Sequence, residues 1–163
     1  MYFQQSDILW GLDRNFVKAF MACAAKASHE KADFIFHEGE PASHLYILLK
    51  GRVKLSIGEN GCSIYTVDHS GEAFGWSSLV GRKTYTASAE CREETTLLKF
   101  EAETLLKVLA KDPSNGLEFF KRLSGILGNR LLQTYKMISV SSQKELNASF
   151  GTGQLITAES TAV

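Results

Sequence analysis

The chain has 163 residues, of which 44% are hydrophobic and 22% charged, and its 18 basic and 18 acidic residues give a formal net charge of zero. That length suits one domain, with room for an appended helix, and is long enough to bury a core. Proteins built around broad attraction to nucleic acid or to a membrane surface usually carry a basic excess, so the charge balance argues against both classes.

Targeting and redox signals are weak. The first residues, MYFQQSDILWGLDRNF, lack a basic start followed by an apolar core, and no run approaches the roughly 18 apolar residues of a membrane span. Cys23, Cys62 and Cys91 lie far apart without CxxC spacing. This usage is typical of reduced thiols in a cytosol and gives no support for a zinc or iron–sulfur site. We therefore expect a cytoplasmic protein with no membrane partner.

The first predicted element is a helix over residues 13–25, with Asp13 as its N-cap. Its apolar residues recur at steps of three and four, at Phe16, Phe20 and Cys23 or Ala24. From about residue 33 to residue 99 the pattern changes to short strands separated by turns, and Gly-Glu-Asn-Gly at 58–61 is a good hairpin turn. Such spacing predicts a sandwich, barrel or roll.

Two helices are predicted after the strands. Residues 101–112 form the first, and Asp112-Pro113-Ser114 separates it from a long second helix over about 113–139. One apolar stripe on the long helix comprises Leu117, Phe120, Leu127, Leu131, Tyr135 and Ile138, with Ser124 filling one turn. This stripe either lies on the helix's own domain or is partly buried against a second copy. Because it is longer than one small roll usually covers, we expect a homodimer.

The domain is expected to span residues 1–140, and residues 141–163 are expected to form a flexible tail. This last stretch is rich in Ser, Thr, Ala and Gly and shows no periodicity.

Enzyme signatures are absent from the sequence. It contains no GxSxG elbow and no P-loop. The four histidines are His29, His37, His44 and His69. A β-barrel metal enzyme of the cupin kind would need clustered histidines and carboxylates, and His37-Glu38 is the only close pair. We therefore expect a non-catalytic protein without a metal site, with the cupin-like enzyme as a distant alternative.

The stretch FGWSSLVGRKTYTASAEC, residues 74–91, can be read in two ways. If Ser77 to Val80 form a helical turn, its free backbone N–H groups make an anion site, to which Ser77 and Ser78 add hydroxyls. Alternatively the stretch is an ordinary turn whose Phe74, Trp76 and Leu79 fill the interior.

Residues 36–55, FHEGEPASHLYILLKGRVKL, are similar to the signature of the cyclic nucleotide-binding domain of the Crp/Fnr superfamily, and the similarity extends from about residue 33 to residue 138. The resemblance implies a mainly β fold with flanking helices: an antiparallel, jelly-roll-like β-roll (a double-stranded β-helix) with an N-terminal helix and two C-terminal helices. It also implies a sensor or regulatory module that signals through the last helix.

The resemblance places a phosphate-binding cassette at residues 74–87. In nucleotide-binding members the cassette reads roughly F-G-E-x-A-L-x, then P-R-[ST]-A-[ST]; its Glu binds the ribose hydroxyl and its Arg the cyclic phosphate. Here Trp76 takes the Glu position, and Thr84-Tyr85 take the Pro-Arg positions. Losing two charge-assisted hydrogen bonds costs about 3–6 kcal/mol, so cAMP or cGMP binding of the usual kind is not expected.

The residues assigned to ligand binding in this loop are Phe74, Gly75, Trp76, Ser77, Ser78, Leu79, Arg82, Tyr85 and Thr86, and those on the last helix are Thr134 and Tyr135. Arg82, or its neighbour Lys83, is a candidate substitute for the missing Arg; otherwise both are solvated loop charges. Trp76 and Tyr85 either fill the pocket or stack on another flat ligand. Thr134 and Tyr135 align with positions that reach the purine in Crp-like dimers, or are plain helix surface and core.

Three functional hypotheses follow. The chain is a nucleotide sensor that uses Arg82 as the substitute Arg, a sensor for another small planar ligand, or a ligand-free dimerisation or docking module. No cofactor is assigned beyond a cyclic nucleotide or such a planar ligand. Crp/Fnr regulators carry a DNA-binding domain of about 70–80 residues after the long helix. Only about 25 residues follow it here, so no direct DNA binding is expected.

Overall fold

The computed structural model describes residue 6 and residues 8–141, with the side chains of residues 140 and 141 left out. The helices are α1 (Arg14–Ala22), α2 (Ala102–Lys111) and α3 (Pro113–Ser141). The strands are β1 (Ala24–His29), β2 (Phe34–Phe36), β3 (His44–Lys50), β4 (Val53–Ile57), β5 (Cys62–Val67), β6 (Ala73–Phe74), β7 (Ser88–Cys91) and β8 (Thr95–Glu101). Of the predicted tail, residue 141 ends α3, and residues 142–163 lie outside the described residues.

The strands form two four-stranded antiparallel sheets, in the orders β1-β8-β3-β6 and β2-β7-β4-β5. The predicted mainly β roll with one helix before it and two after it is confirmed. The hairpin at 58–61 is also present, since β4 pairs with β5 and both Gly58 and Gly61 have positive φ. No helix in the described part of the chain is both long and apolar enough to cross a bilayer.

Two strands escaped the sequence analysis. β1 has the sequence AAKASH, whose residue types favour strands weakly. It exists because it pairs with β8 along its whole length, from Ala24 opposite Phe100 to His29 opposite Thr95. The predicted helix over 13–25 therefore ends early, at Ala22, although Asp13 caps it as expected by accepting from the N–H groups of Asn15 and Phe16. β6 has only two residues and gives no periodic signal.

The core consists of two hydrophobic clusters, because alternate residues of β3 point to opposite faces of its sheet. The helix-side cluster comprises Ile8, Leu9, Phe16, Phe20, Leu45, Ile47, Ala73, Leu79, Leu98, Phe100, Ala102, Leu105, Leu109, Phe119 and Leu123. The inter-sheet cluster comprises Phe36, Tyr46, Leu48, Val53, Leu55, Val67, Phe74, Tyr85, Ala89 and Leu97. Phe20 is fully buried in the first cluster, 4.9 Å from the Phe100 ring and 5.5 Å from the Phe119 ring between centroids.

The described residues fall into two units, one ending at Leu127 and the other beginning at Gly128. In the first unit, α3 contributes Phe119 and Leu123 to the core, and neither belongs to the predicted stripe. Leu117, which does belong to it, is 65% exposed. In the second unit, Leu131 and Tyr135 of the stripe are exposed as well. Two other stripe residues of the first unit, Phe120 and Leu127, are partly buried against the helix-side cluster, so within this unit the stripe packs on the roll in part.

Candidate functional site

The loop that follows β6 begins with a turn that only glycine can make. Gly75 has φ +76°, and a Cβ there would lie 2.9 Å from Cδ2 of Tyr46 and 3.0 Å from the carbonyl oxygen of His44. Both the left-handed backbone and this close approach exclude a side chain. The chain thereby leaves the sheet edge and enters a short 3₁₀ helix, Trp76–Leu79.

The two serines of this 3₁₀ helix are buried. The Ser78 hydroxyl donates to the carbonyl of Gly75 at 2.9 Å, so it serves its own turn. The Ser77 hydroxyl lies 3.5 Å from that of Thr86, which makes a weak polar link between the two halves of the loop. Of the two hydroxyls expected at an anion site, that of Ser78 is used within its own turn, and that of Ser77 lies beside Thr86.

Tyr85, at the position of the family's Arg, is almost fully buried, with 4% of its surface exposed. Its ring stacks on Phe36 with centroids 3.8 Å apart and planes 17° apart. Its hydroxyl donates to the carbonyl oxygen of His44 at 2.9 Å and accepts from the N–H of His44 at 3.0 Å. Both hydrogen-bonding functions of the phenol are therefore used by the protein itself.

Tyr85 continues an aromatic row between the sheets. Phe36 stacks on Tyr46 with ring centroids 5.6 Å apart, and Tyr46 stacks on Phe74 at 5.3 Å. Burial, followed by the neighbouring Tyr85, raises the pKa of Tyr46 well above its ordinary value of 10.0, so this phenol stays neutral. The part of the roll beside Tyr85 is accordingly filled by aromatic side chains.

Backbone pairing fixes the second half of the loop. Tyr85 N–H donates to Glu40 O at 2.9 Å, Gly39 N–H donates to Tyr85 O at 3.0 Å, and Ala42 N–H donates to Lys83 O at 2.9 Å. Thr84 forms a bridge with Pro41 within the same pairing. Thr84 and Tyr85 are thus held by pairing of their backbone with residues 39–41.

Trp76, at the position of the family's Glu, goes elsewhere. Its side chain is half-buried and packs against the helix-side cluster, which also contains Leu79. Phe74 and Tyr85 belong instead to the inter-sheet cluster. The two aromatics at the specificity positions therefore lie in different clusters and do not face each other across one cavity.

The candidate substitute cations lie at the surface of the loop. Arg82 is half-buried and Lys83 is exposed. Within residue 6 and residues 8–141, neither side chain forms a salt bridge. Arg82 is thus a cation that the described residues leave without a counter-charge.

The two helix residues assigned to ligand binding belong to the second unit. The Thr134 hydroxyl donates to the carbonyl of Arg130, one turn earlier, at 3.0 Å. Tyr135 is 56% exposed. Both therefore lie on the surface of α3 in this chain, and their assigned role in ligand binding stays a prediction.

The histidines do not cluster with one another among the described residues. One group there has metal-like spacing: Asp68, His69 and Glu72, whose ligand atoms lie within 4.8 Å of each other. The Glu72 carboxylate already accepts from the hydroxyl of Tyr65 at 2.7 Å and from the N–H groups of Asp68 and His69. These hydrogen bonds are those of a turn at residues 68–72 that the Glu72 carboxylate stabilises.

The sequence analysis missed two residues of the site, Phe36 and His44. Both belong to the stretch that carries the family resemblance, where they were counted as signature positions and not as contacts of Tyr85. Their proximity to Tyr85 depends on the pairing of residues 39–42 with 83–85, which leaves no periodic trace in the sequence.

Comparisons with known proteins agree with this geometry. A protein of Rhodopseudomonas palustris, whose assigned name is that of a potassium channel protein, is 24% identical over 102 residues. That match covers 63% of this chain and 25% of the relative, so the chain spans about a quarter of the relative's length.

Solved structures show the same fold. A cyclic nucleotide-binding domain from Methylobacillus flagellatus has a TM-score of 0.75 at 22% identity, covering 89% of this chain and 86% of that one. The catabolite activator protein of Thermus thermophilus has a TM-score of 0.68 at 22% identity, covering 83% of this chain and 63% of that one. At such identities the likeness establishes the fold.

The sequence model described as the cyclic nucleotide-binding domain matches residues 26–112, from the third residue of β1 to the end of α2. The match covers more than half of the chain and contains both sheets, Gly75 and the whole loop around Tyr85. The chain therefore belongs to the cyclic nucleotide-binding domain family.

Proposed function

We propose that this chain is a non-catalytic regulatory domain that does not bind cAMP or cGMP by the family's usual contacts and that acts as a homodimer through α3. One observation carries the proposal: the position of the phosphate-binding Arg holds Tyr85, whose hydroxyl is bonded to both backbone groups of His44. A phenol already bound in this way offers the cyclic phosphate neither a charge nor a free donor.

Calorimetry tests the nucleotide part of the proposal. The purified chain, titrated with cAMP and with cGMP at high micromolar concentration, should release no heat of binding. The expectation follows from the loss of about 3–6 kcal/mol of charge-assisted hydrogen bonding. A saturable heat with a dissociation constant near micromolar for either nucleotide would contradict it.

The homodimer is supported by the exposed apolar side chains of the second unit. Leu131 is 49% exposed, Leu132 is 56% exposed and Tyr135 is 56% exposed. Leu131, Tyr135 and Ile138 follow one another at steps of four and three, the spacing of a helix seam that packs against another helix. A second copy of α3 offers the matching seam, which favours a symmetric pair.

Sedimentation velocity tests the homodimer. The native chain should sediment as a dimer at micromolar concentration, and Leu131→Arg should sediment as a monomer because it places a charge in the seam. Asn129→Arg is the matched control, since Asn129 is also exposed but lies outside the stripe. If the native chain is monomeric, or if both variants behave alike, the dimer proposal fails.

A second candidate function is a sensor for a different small ligand at the loop. It is favoured by the link between the Ser77 and Thr86 hydroxyls and by Arg82, which has no counter-charge among the described residues. Hydroxyls and a cation within one loop are groups that bind an anion. Titration with a cyclic dinucleotide tests it: Arg82→Gln should abolish binding and Lys83→Gln should preserve it. No heat from the native chain would count against this ligand class.

The cytoplasmic location and the domain limits of 1–140 stay proposals. The location is supported by Cys23, Cys62 and Cys91, all of which are free thiols.

A further inference from the structure

Among the described strands, none pairs with the beginning of β3 on the side where β6 ends. β6 pairs with Tyr46 and Ile47, and the turn at Gly75 then takes the chain away from the sheet. His44, two residues before Tyr46, has both backbone groups bonded to the hydroxyl of Tyr85. The Tyr85 side chain thus takes the place of a strand partner for the backbone N–H and C=O of His44.

The same short segment supports the beginning of α2. The N-cap residue Glu101 makes no capping hydrogen bond through its side chain to the described backbone of α2. The first N–H of that helix, that of Ala102, donates instead to the carbonyl of Ser43 at 2.9 Å. Glu101 is also the β8 partner of His44. Residues 43 and 44 are therefore the point at which the loop and α2 are both attached to β3.

We infer that Tyr85 and His44 form an internal latch, which consists of the two hydrogen bonds between the Tyr85 hydroxyl and the backbone of His44. The latch holds the loop on β3 and, through Ser43, fixes the beginning of α2. The latch holds the loop in its docked arrangement through contacts within the chain itself. The latch deepens the proposed function, because it names the contact that holds the loop. It rests on that function in one respect: no cAMP or cGMP binds at Tyr85.

Stacking and hydrogen bonding can be separated at this residue. Tyr85→Phe keeps the ring on Phe36 and removes only the hydroxyl. The backbone N–H and C=O of His44 then lose the hydroxyl as their hydrogen-bond partner, and the segment that carries Ser43 is released. Tyr65→Phe is the matched control, because it removes a hydroxyl that donates to Glu72 at 2.7 Å, away from α2.

Native-state hydrogen exchange followed residue by residue measures the effect. In Tyr85→Phe, the amides of His44 and Ala102 should both exchange about tenfold faster than in the native chain, while the amide of Val67 in β5 keeps its rate. In Tyr65→Phe, the rates at His44 and Ala102 should stay as they are in the native chain.

Three results would overturn the latch: an unchanged rate at His44, an unchanged rate at Ala102 despite a faster one at His44, or the same acceleration at His44, Ala102 and Val67. The last would mean that the hydroxyl contributes only to global stability. Calorimetry with cAMP is read separately. Nucleotide binding by the native chain would refute the proposed function, whatever the exchange rates show.

Discussion

The two halves of the loop after β6 are held by different contacts. The first half, residues 75–79, is held by packing, since Leu79 and Trp76 pack in the helix-side cluster. The second half, residues 82–87, is held by hydrogen bonds to residues 39–44 and by the ring of Tyr85, which stacks on Phe36 in the inter-sheet cluster. Trp76 and Tyr85 are both aromatic where the family's cassette has a polar residue, yet Trp76 packs against the helix-side cluster and Tyr85 lies in the inter-sheet cluster.

A position in a sequence motif therefore does not determine which part of the core a substituted side chain enters. In the family, Glu and Arg meet on one ligand. In this chain the described contacts of Trp76 and Tyr85 lie in different clusters, so the local backbone decides the direction of each side chain. Gly75 turns the chain towards the helices, and the pairing with residues 39–42 turns Tyr85 inwards. The two replacements should therefore differ in how much stability they contribute.

The largest expected effect comes from truncating the two aromatics separately. Tyr85→Ala should lower the free energy of unfolding by about 3–5 kcal/mol, because a buried ring and two hydrogen bonds are lost. Trp76→Ala should cost about 1–3 kcal/mol, because its side chain is already half in water. Urea denaturation of both variants measures the difference. If Trp76→Ala were the more destabilising change, the comparison between the two halves would fail.

A smaller effect is expected at the glycine that separates the two environments. Gly75→Ala should cost about 2–4 kcal/mol, because the new Cβ would clash with Tyr46 and with His44 O in a left-handed backbone. Gly81→Ala is the matched control: its φ is +77°, but nothing lies within 4 Å of its Cβ position. It should cost about 1–2 kcal/mol by denaturation. Equal costs at the two glycines would show that the close approach at Gly75 contributes nothing.

The smallest expected effect is a pH dependence of stability that arises at His44, the residue whose backbone binds Tyr85 in the second half of the loop. Burial, then Lys99, lowers the pKa of His44 from its ordinary value of 6.5, while Glu101 opposes the shift. The unfolded chain therefore binds the proton more readily, so stability should fall as the pH drops from 6.5 towards the lowered pKa. The midpoint of urea unfolding should decrease between pH 7.5 and pH 5.5, and His44→Gln should reduce that decrease. A variant with the full native pH dependence would contradict this assignment.

Much of the fold was accessible from the sequence because its signals are local. The hairpin turn at 58–61, the N-cap at Asp13 and the break at Pro113 each depend on a few neighbouring residues. Long-range pairing and burial were not accessible. β1 is a strand only because β8 lies beside it, and the periodicity of α3 did not reveal that Phe119 and Leu123 are the buried residues.

The candidate site divides in the same way. Its place in the chain followed from Phe74-Gly75 and from the family signature, and Gly75 has the left-handed backbone that glycine adopts without strain. The destinations of Trp76 and Tyr85 depend on which cluster each side chain reaches, and that is decided by contacts dozens of residues away. The assigned ligand-binding roles therefore stay predictions.

The pairing of β1 with β8 also bears on how the chain is made. Residues 24–29 find their partners only at residues 95–100, so the ribosome must add about seventy residues before this edge of the sheet can close. At about 5–20 residues per second, the first strand waits several seconds with its backbone unpaired. Contacts of such long sequence separation slow folding. The sequence of β1, AAKASH, has little tendency to form a strand on its own. It is therefore suited to that delay, because such a segment offers other unfolded chains few residues that favour aggregation.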